Sequence, residues 1–422
     1  MTTTKQLALQ SKAASKSLSS FTAAERNDAL QAIANVLLDH KVDILAANQE
    51  DVELAKKNDV SREMLDRLTL TEERLQSISQ GLVHVKTLRD PLSQSPSRYV
   101  RDDGLIIENH RVPFGVIAMV YEARPNVTVD AAGLCLKSGN SVLLRGSSSA
   151  QKTNRILVTC MQEGLKNAGL PADAITLVPP HTRENVKELG QLRGIVDVMI
   201  LRGGAALIQT VVQNSTVPVL ETGEGNCHLF IDQSAREDMA ISVAIDAKTD
   251  RPSVCNAIET ILINEDWLSR HGKELLQALL AKGVTIYGDE DVQRLDDRVK
   301  QATEEDWAKE YLDPIVAIKC VSSVAEAAQH IDKYGTKHSE AIISEDDEHV
   351  EQFRHLIDAA AVYHNASTRF TDGAEFGFGA ELGISTQKLH ARGPLGLEAL
   401  TTNKYYITGT GQTKGSGTHD AQ

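Results

Sequence analysis

The sequence predicts an α/β protein with two mostly parallel sheets. Apolar runs of four to six residues recur along the chain, with helical stripes between most of them, the pattern of strands covered on both faces. A glycine-rich stretch at 223–226 divides that alternation into two halves. The length of 422 residues suits two or three domains. Hydrophobic residues at 41% and charged residues at 24% argue against global disorder, and aromatics at 4% leave the core to Ala, Val, Leu and Ile.

The elements follow in order. The first hundred residues read as helical, with Leu30, Ile33, Ala34 and Leu37 at i, i+3, i+4 and i+7 forming one apolar stripe. Charged residues dominate 49–74, and Pro91 to Pro96 is a break. Tyr99-Val100, the turn signal Asp102-Asp103-Gly104 and Leu105-Ile106-Ile107 predict a β-hairpin over 98–113. A strand over 116–120, a stripe at Val127, Ala131 and Leu134, and a turn at Gly139-Asn140 come next. A strand over 142–144 runs into a helix over 148–169, and strands are expected over 175–178 and 196–201. Beyond Glu221, strand candidates lie at 261–263, 284–287, 315–318, 341–343 and 360–362. The Gly/Thr/Ser-rich end, 409–422, is expected to be flexible, and there is no internal repeat.

Charge and cysteine usage exclude several functions. A net charge of −14 argues against a broad nucleic-acid or anionic-lipid surface, leaving only local cationic sites. The longest apolar stretch, 115–121, is far below the ~20 residues of a membrane span. Residues 1–20 carry no apolar segment of a signal peptide. Five widely spaced cysteines without a CxxC fit neither a disulfide framework nor a zinc ribbon, and thirteen scattered histidines suggest no metal site. The expectation is a cytoplasmic protein in a reducing compartment.

The residues that could carry chemistry are few. P-loop, HExxH, GxSxG and GxGxxG patterns are absent. Cys135 and Cys160 sit in apolar helical segments, Cys320 ends a strand and Cys227 opens an apolar run, so these four read as core. Cys255 lies in a polar turn after Asp250-Arg251-Pro252-Ser253, where an arginine or a helix start would lower its pKa. Arg145, Ser147 and Ser148 end a strand and open a helix, which suits a phosphate and equally suits a plain serine cap. Gly203-Gly204 also follows a strand and opens a helix, which suits a pyrophosphate or simple close packing.

Together these pieces resemble the aldehyde dehydrogenase superfamily, most closely its glutamate-5-semialdehyde dehydrogenase family. The motifs are 121–128 (Tyr-Glu-Ala-Arg-Pro-Asn-Val-Thr), 250–257 (Asp-Arg-Pro-Ser-Val-Cys-Asn-Ala) and 388–394 (Lys-Leu-His-Ala-Arg-Gly-Pro), and the similarity runs from about Ala24 to Thr408. The resemblance implies a nucleophile at Cys255 and an oxyanion donor at Asn126. It places the superfamily glutamate on Glu221, 34 residues before the cysteine, in an altered Glu-Thr-Gly-Glu-Gly context. The nicotinamide-ribose glutamate falls on Glu310, with Leu312 and Asp313 replacing the usual Phe and Gly. Arg145 replaces the superfamily lysine, and its planar fork suits the 2′-phosphate of NADP.

The implied activity is NADPH-dependent reduction of L-glutamyl 5-phosphate to glutamate 5-semialdehyde, in proline biosynthesis, through a thioacyl intermediate on the cysteine. Such a substrate needs cations, and Arg124, Arg251, Lys388, His390 and Arg392 are the candidates, with 377–396 as a mobile loop over the cleft. Glu221 is a candidate for proton handling. The implied architecture is aldehyde-dehydrogenase-like: a Rossmann-like cofactor domain over 1–222, a catalytic domain over 223–397, and an oligomerisation element from the hairpin and 398–422. A homodimer or homotetramer is expected, and a glutamate 5-kinase is the partner the substrate suggests. A hydrolytic aldehyde dehydrogenase for another aldehyde, and a non-catalytic protein on the same fold, stay open on the residues alone.

Overall fold

A computed structural model describes residues 3–122, 124–179 and 184–414 of the chain. Ala123 of the 121–128 motif and 415–422 of the tail expected to be flexible lie outside the described residues. The chain opens with five helices: α1 (Thr4–Leu18), α2 (Ala23–Asp39), α3 (Lys41–Lys57), α4 (Arg62–Leu68) and α5 (Glu72–Thr87). Helix α2 begins on a capping box, in which the Thr22 hydroxyl accepts from the Glu25 N–H and the Glu25 carboxylate accepts from the Thr22 N–H. Its stripe of Leu30, Ile33, Ala34 and Leu37 is fully buried, as the spacing predicts.

The hairpin follows as β1 (Ser97–Val100) and β2 (Ile106–Pro113), with Gly104 at φ +81° in the turn, a conformation glycine adopts freely. Then come β3 (Val116–Tyr121), α6 (Pro125–Lys137), β4 (Ser141–Arg145), α7 (Gln151–Asn167), β5 (Ile175–Leu177), α8 (Glu184–Gly190), β6 (Val198–Arg202), α9 (Ala205–Asn214) and β7 (Val219–Thr222). Strands β3 to β7 are parallel in the order β7-β6-β3-β4-β5. The order reverses between β3 and β6, and in open α/β sheets ligands bind beyond the carboxyl ends of the strands at such a point.

The second half holds β8 (Cys227–Ile231), α10 (Glu237–Thr249), β9 (Ile258–Asn264), α11 (Glu265–Ala281), β10 (Thr285–Gly288), α12 (Glu290–Gln293), β11 (Lys300–Gln301), α13 (Glu304–Trp307), β12 (Ile315–Val321), α14 (Val324–Tyr334), β13 (Ser339–Ile343), α15 (Asp347–Leu356) and β14 (Ala361–His364). Its seven strands are all parallel, in the order β11-β10-β12-β9-β8-β13-β14. Residues 258–263 of β9 are fully buried, as a central parallel strand requires.

The chain then returns to the first sheet. Strands β15 (Ile384–Ser385) and β16 (Gly393–Pro394) lie within 223–397, yet β15 pairs antiparallel with β7 and β16 with β15. Leu382, Ala391, Leu395 and Leu397 accordingly pack in the first core. The last strand, β17 (Thr401–Thr408), pairs with β2, so hairpin and tail form a separate three-stranded antiparallel sheet. No helix among the described residues is long and apolar enough to cross a membrane.

Helices α2 and α7 touch where Gly164 faces Ile33. A Cβ at Gly164 would stand 2.6 Å from Ile33 Cα and 2.8 Å from its N, both backbone atoms that no rotamer change can move. Alanine favours a helix over glycine by ~1 kcal/mol, whereas overpacking costs ~1–3 kcal/mol. We therefore expect Gly164→Ala to lower the urea midpoint of unfolding. An unchanged or higher midpoint would mean that the two helices separate at no cost.

Candidate active site

Cys255 sits in the turn 251–257 between α10 and β9, and it is half-buried. The neighbouring chain fixes its backbone. Cys227, the first residue of β8, donates from Sγ to the Cys255 carbonyl at 3.1 Å. Asn256 donates to the carbonyls of Thr371 (2.9 Å) and Arg369 (3.2 Å), and its own carbonyl accepts from Thr368 Oγ1 at 2.7 Å. Arg369 also donates to Asp250 through Nε and Nη2. Gly225, in the crossing between the two sheets, runs so close that a Cβ there would lie 1.6 Å from the Cys255 carbonyl oxygen.

Two cavities meet at the cysteine. The larger, about 880 Å³, is lined by Cys255, Asn126, Arg251, Arg369 and residues of α4 and α5. The smaller, about 330 Å³, is lined by Cys255, Gly203, Gly204, Glu224 and Glu310. Arg67, Arg124, Arg202 and Glu381 line both. Tyr121 and Glu122 continue the smaller cavity into a third of about 640 Å³, lined by Arg145, Ser147, Ser148, α8 and α9. The resulting cleft runs from the strand-order reversal of the first sheet to the cysteine.

Electrostatics at the cysteine differ from the expectation. Burial first, then Glu310 and Glu381, push the thiol pKa up to about 11 against the opposing charge of Arg202. No helix begins at Cys255, so no helix dipole favours the thiolate. Arg124 is lowered to about 10 by burial and by the charges of Arg202, Arg67 and Arg251. Such a cluster of like charges calls for an anion between them.

Asn126 lines the larger cavity, with its Nδ2 donating to Asp130 Oδ2 at 3.1 Å rather than pointing free. Burial raises the Asp130 pKa to about 6, and the Asn126 bond opposes that rise. Glu310 accepts from the Gly225 N–H at 2.8 Å. Gly204 is the N-cap of α9; its N–H donates to Glu122 Oε1 at 3.2 Å, and a Cβ there would meet nothing within 4 Å.

Four expected residues stand apart from the cysteine. Glu221 lies on β7, where its N–H donates to Gln387 Oε1 at 3.2 Å, and it lines none of the three cavities, whereas Thr222, Gly223 and Glu224 line the smaller one. Lys388 Nζ (2.8 Å) and Arg392 Nη1 (2.9 Å) both pair with Asp358 Oδ1, and exposed His390 lies between them in sequence. Asp358 lies between α15 and β14, the edge strand of the second sheet, and none of Lys388, His390 and Arg392 lines the three cavities. In their place the site gathers Arg67, Arg202 and Glu381. Arg202 ends the strand before Gly203-Gly204, a position the strand-end rule favours. Arg67 and Glu381 carry no comparable local signal.

Residues 2–293 match the model of the aldehyde dehydrogenase family. A gamma-glutamyl phosphate reductase of Anoxybacillus flavithermus is 54% identical over 403 residues, 96% of this chain and 97% of that one. One of Halalkalibacterium halodurans is 54% identical over 408 residues, 96% of this chain and 98% of that one. The crystal structure of the gamma-glutamyl phosphate reductase of Thermotoga maritima superposes with a TM-score of 0.95 at 44% identity, covering 97% of this chain and 99% of that one. With a cysteine cleft between two mostly parallel sheets and relatives matched over nearly their whole length, the chain belongs to the aldehyde dehydrogenase family, as an oxidoreductase of its gamma-glutamyl phosphate reductase group.

Proposed function

We propose that the chain reduces L-glutamyl 5-phosphate to L-glutamate 5-semialdehyde and phosphate, with Cys255 as nucleophile and NADPH as reductant, as a step of proline biosynthesis. The observation that carries this reading is the position of Cys255 where an arginine-lined cavity meets the cleft that runs to Arg145. The names of the relatives support the substrate.

The residues present fit a nicotinamide dinucleotide. The cleft lies at the strand-order reversal, and the missing side chain at Gly204 leaves the start of α9 open for backbone to approach a pyrophosphate. Arg145, Ser147 and Ser148 would hold the 2′-phosphate, Gly203 and Gly204 the pyrophosphate, and Glu310 the nicotinamide ribose. The cofactor, when bound, supplies the hydride.

This chain's own residues do the rest. Arg124 and Arg251, joined by Arg67 and Arg202, hold the acyl phosphate and offset its charge against a chain that is acidic overall. The Cys255 sulfur attacks the acyl carbon, phosphate departs, and a thioacyl group remains on the sulfur. The arginines, and the second Nδ2 hydrogen of Asn126 left beside its bond to Asp130, would stabilise the carbonyl oxygen as charge develops on it. Covalent capture lets one site serve phosphate release first and reduction second.

The three-stranded sheet is proposed as the oligomer contact of a homodimer or homotetramer. It exposes Tyr99, Val100, Tyr405, Tyr406 and Ile407, an apolar surface beside free strand edges. A glutamate 5-kinase is proposed as the source of the unstable acyl phosphate, and the cytoplasm as the site of both.

Three experiments test these points. Oxidation of glutamate 5-semialdehyde with NADP should require inorganic phosphate and vanish in Cys255→Ala; equal turnover without phosphate would instead make the chain a hydrolytic dehydrogenase. Arg145→Leu should raise KM for NADP by about 10- to 100-fold, the worth of a charged hydrogen bond, and leave KM for NAD nearly unchanged. Ile407→Asp should sediment as a smaller species than the parent chain, and a monomeric parent would refute the oligomer contact.

A further inference from the structure

The proposed reaction poses a proton problem. The thiol of Cys255 is held protonated by burial, with its pKa near 11. An acyl phosphate cannot expel bare phosphate trianion, so its bridging oxygen must receive a proton as it leaves. A single group that reaches both the sulfur and the phosphate could move the thiol proton to the leaving oxygen. Among the described residues, no histidine lines either cavity at the cysteine. Asp66 and Asp372 line only the larger cavity, and Glu122, Glu224 and Glu310 only the smaller one. Glu381 is the one carboxylate, among the described residues, that lines both.

We propose that Glu381 is the proton carrier of the reaction: its carboxylate takes the proton from Cys255 Sγ as the sulfur–carbon bond forms and gives it to the bridging oxygen as the carbon–oxygen bond breaks. The leaving electron pair stays on that oxygen, so the products of the step are the thioester and hydrogen phosphate. This inference rests on the reading of Cys255 as nucleophile and adds a role that reading does not contain.

The surroundings equip Glu381 for this work. Its segment is held by Arg202, which donates from Nη1 to the Leu382 carbonyl at 3.0 Å, and by the Leu382 N–H, which donates to the Leu395 carbonyl at 3.1 Å. Its Oε2 is buried and accepts no hydrogen bond from the described residues. The charged and titratable groups that interact with it are Asp372, Arg202 and the Cys255 thiol. Burial first and Asp372 second raise its pKa to about 7, while Arg202 and the Gly373 N–H lower it. A carboxyl poised there can accept and release a proton at neutral pH.

Glu381→Gln and Glu381→Asp test the role in the oxidative direction, with semialdehyde, NADP and inorganic phosphate. Turnover should fall by about 100-fold or more in the Gln variant, the usual span for a lost acid–base group. The Asp variant should recover a measurable part. The parent's activity should decline as pH falls through about 7, as Glu381 gains its proton, and the Gln variant should lack that limb. Alkylation of Cys255 by iodoacetamide gives the second readout. Removing a negative charge that raises the thiol pKa should leave alkylation as fast as in the parent chain or faster.

Slow turnover with undiminished alkylation supports proton carriage. Turnover within a few-fold of the parent in the Gln variant overturns it. Turnover and alkylation falling together in both variants also overturns it, since Glu381 would then only shape the site. Loss of Cys255 dependence in the parent chain would instead sink the reading of the nucleophile.

Discussion

The structure depends most on the contact between the sheet-to-sheet crossing and the cysteine turn. Gly225 passes against the Cys255 carbonyl at a distance no side chain would permit, and Cys227 two residues later donates to the same oxygen. A single carbonyl is thus the point where the crossing, the start of β8 and the cysteine turn meet. Thr368 and Asn256 lock the other side of the turn to the segment after β14. The sulfur is therefore positioned by backbone on both sides, which suits a nucleophile whose geometry must hold to a fraction of an ångström.

Charge is organised on the same scale. The chain is acidic overall, yet four arginines from four separate stretches converge on one cleft. Arg67 comes from α4, Arg124 from the start of α6, Arg202 from the end of β6 and Arg251 from the cysteine turn. Arg202 is the hub: it lowers the thiol pKa, steadies the Glu381 segment and adds to the charge around Arg124. The cysteine itself gains nothing from a helix start and is kept neutral by burial. Under the proposed mechanism its reactivity would depend on transfer of its proton within the site, not on a standing thiolate.

The limits of sequence reading are visible at particular residues. Cys255 was legible because its flanking motif is long and local. Arg124 and Arg251 were legible because they lie in the same motifs. Lys388 and Arg392 read equally well as cations, but a sequence does not show which carboxylate will claim them, and Asp358 does so. Arg67 sits in the charge-rich stretch 49–74, where nothing local marks it as the residue that lines the cleft. Glu381 lies in a glycine-rich loop with no periodicity, and only the return of the chain to the first sheet brings it to the cavities at the cysteine.

The sequence by itself determined what is local. Alternating apolar runs and stripes set strands and helices, the Asp-Asp-Gly turn set the hairpin, and the cysteine motif marked the candidate nucleophile, because each signal lies within one turn or one strand of its cause. Tertiary structure alone decided the rest. It placed β15 and β16 on the first sheet, paired the tail with the hairpin, raised the thiol pKa, and chose which carboxylate and which arginines line the cavities at the cysteine. Burial and charge–charge distance depend on segments hundreds of residues apart, and no local pattern encodes them.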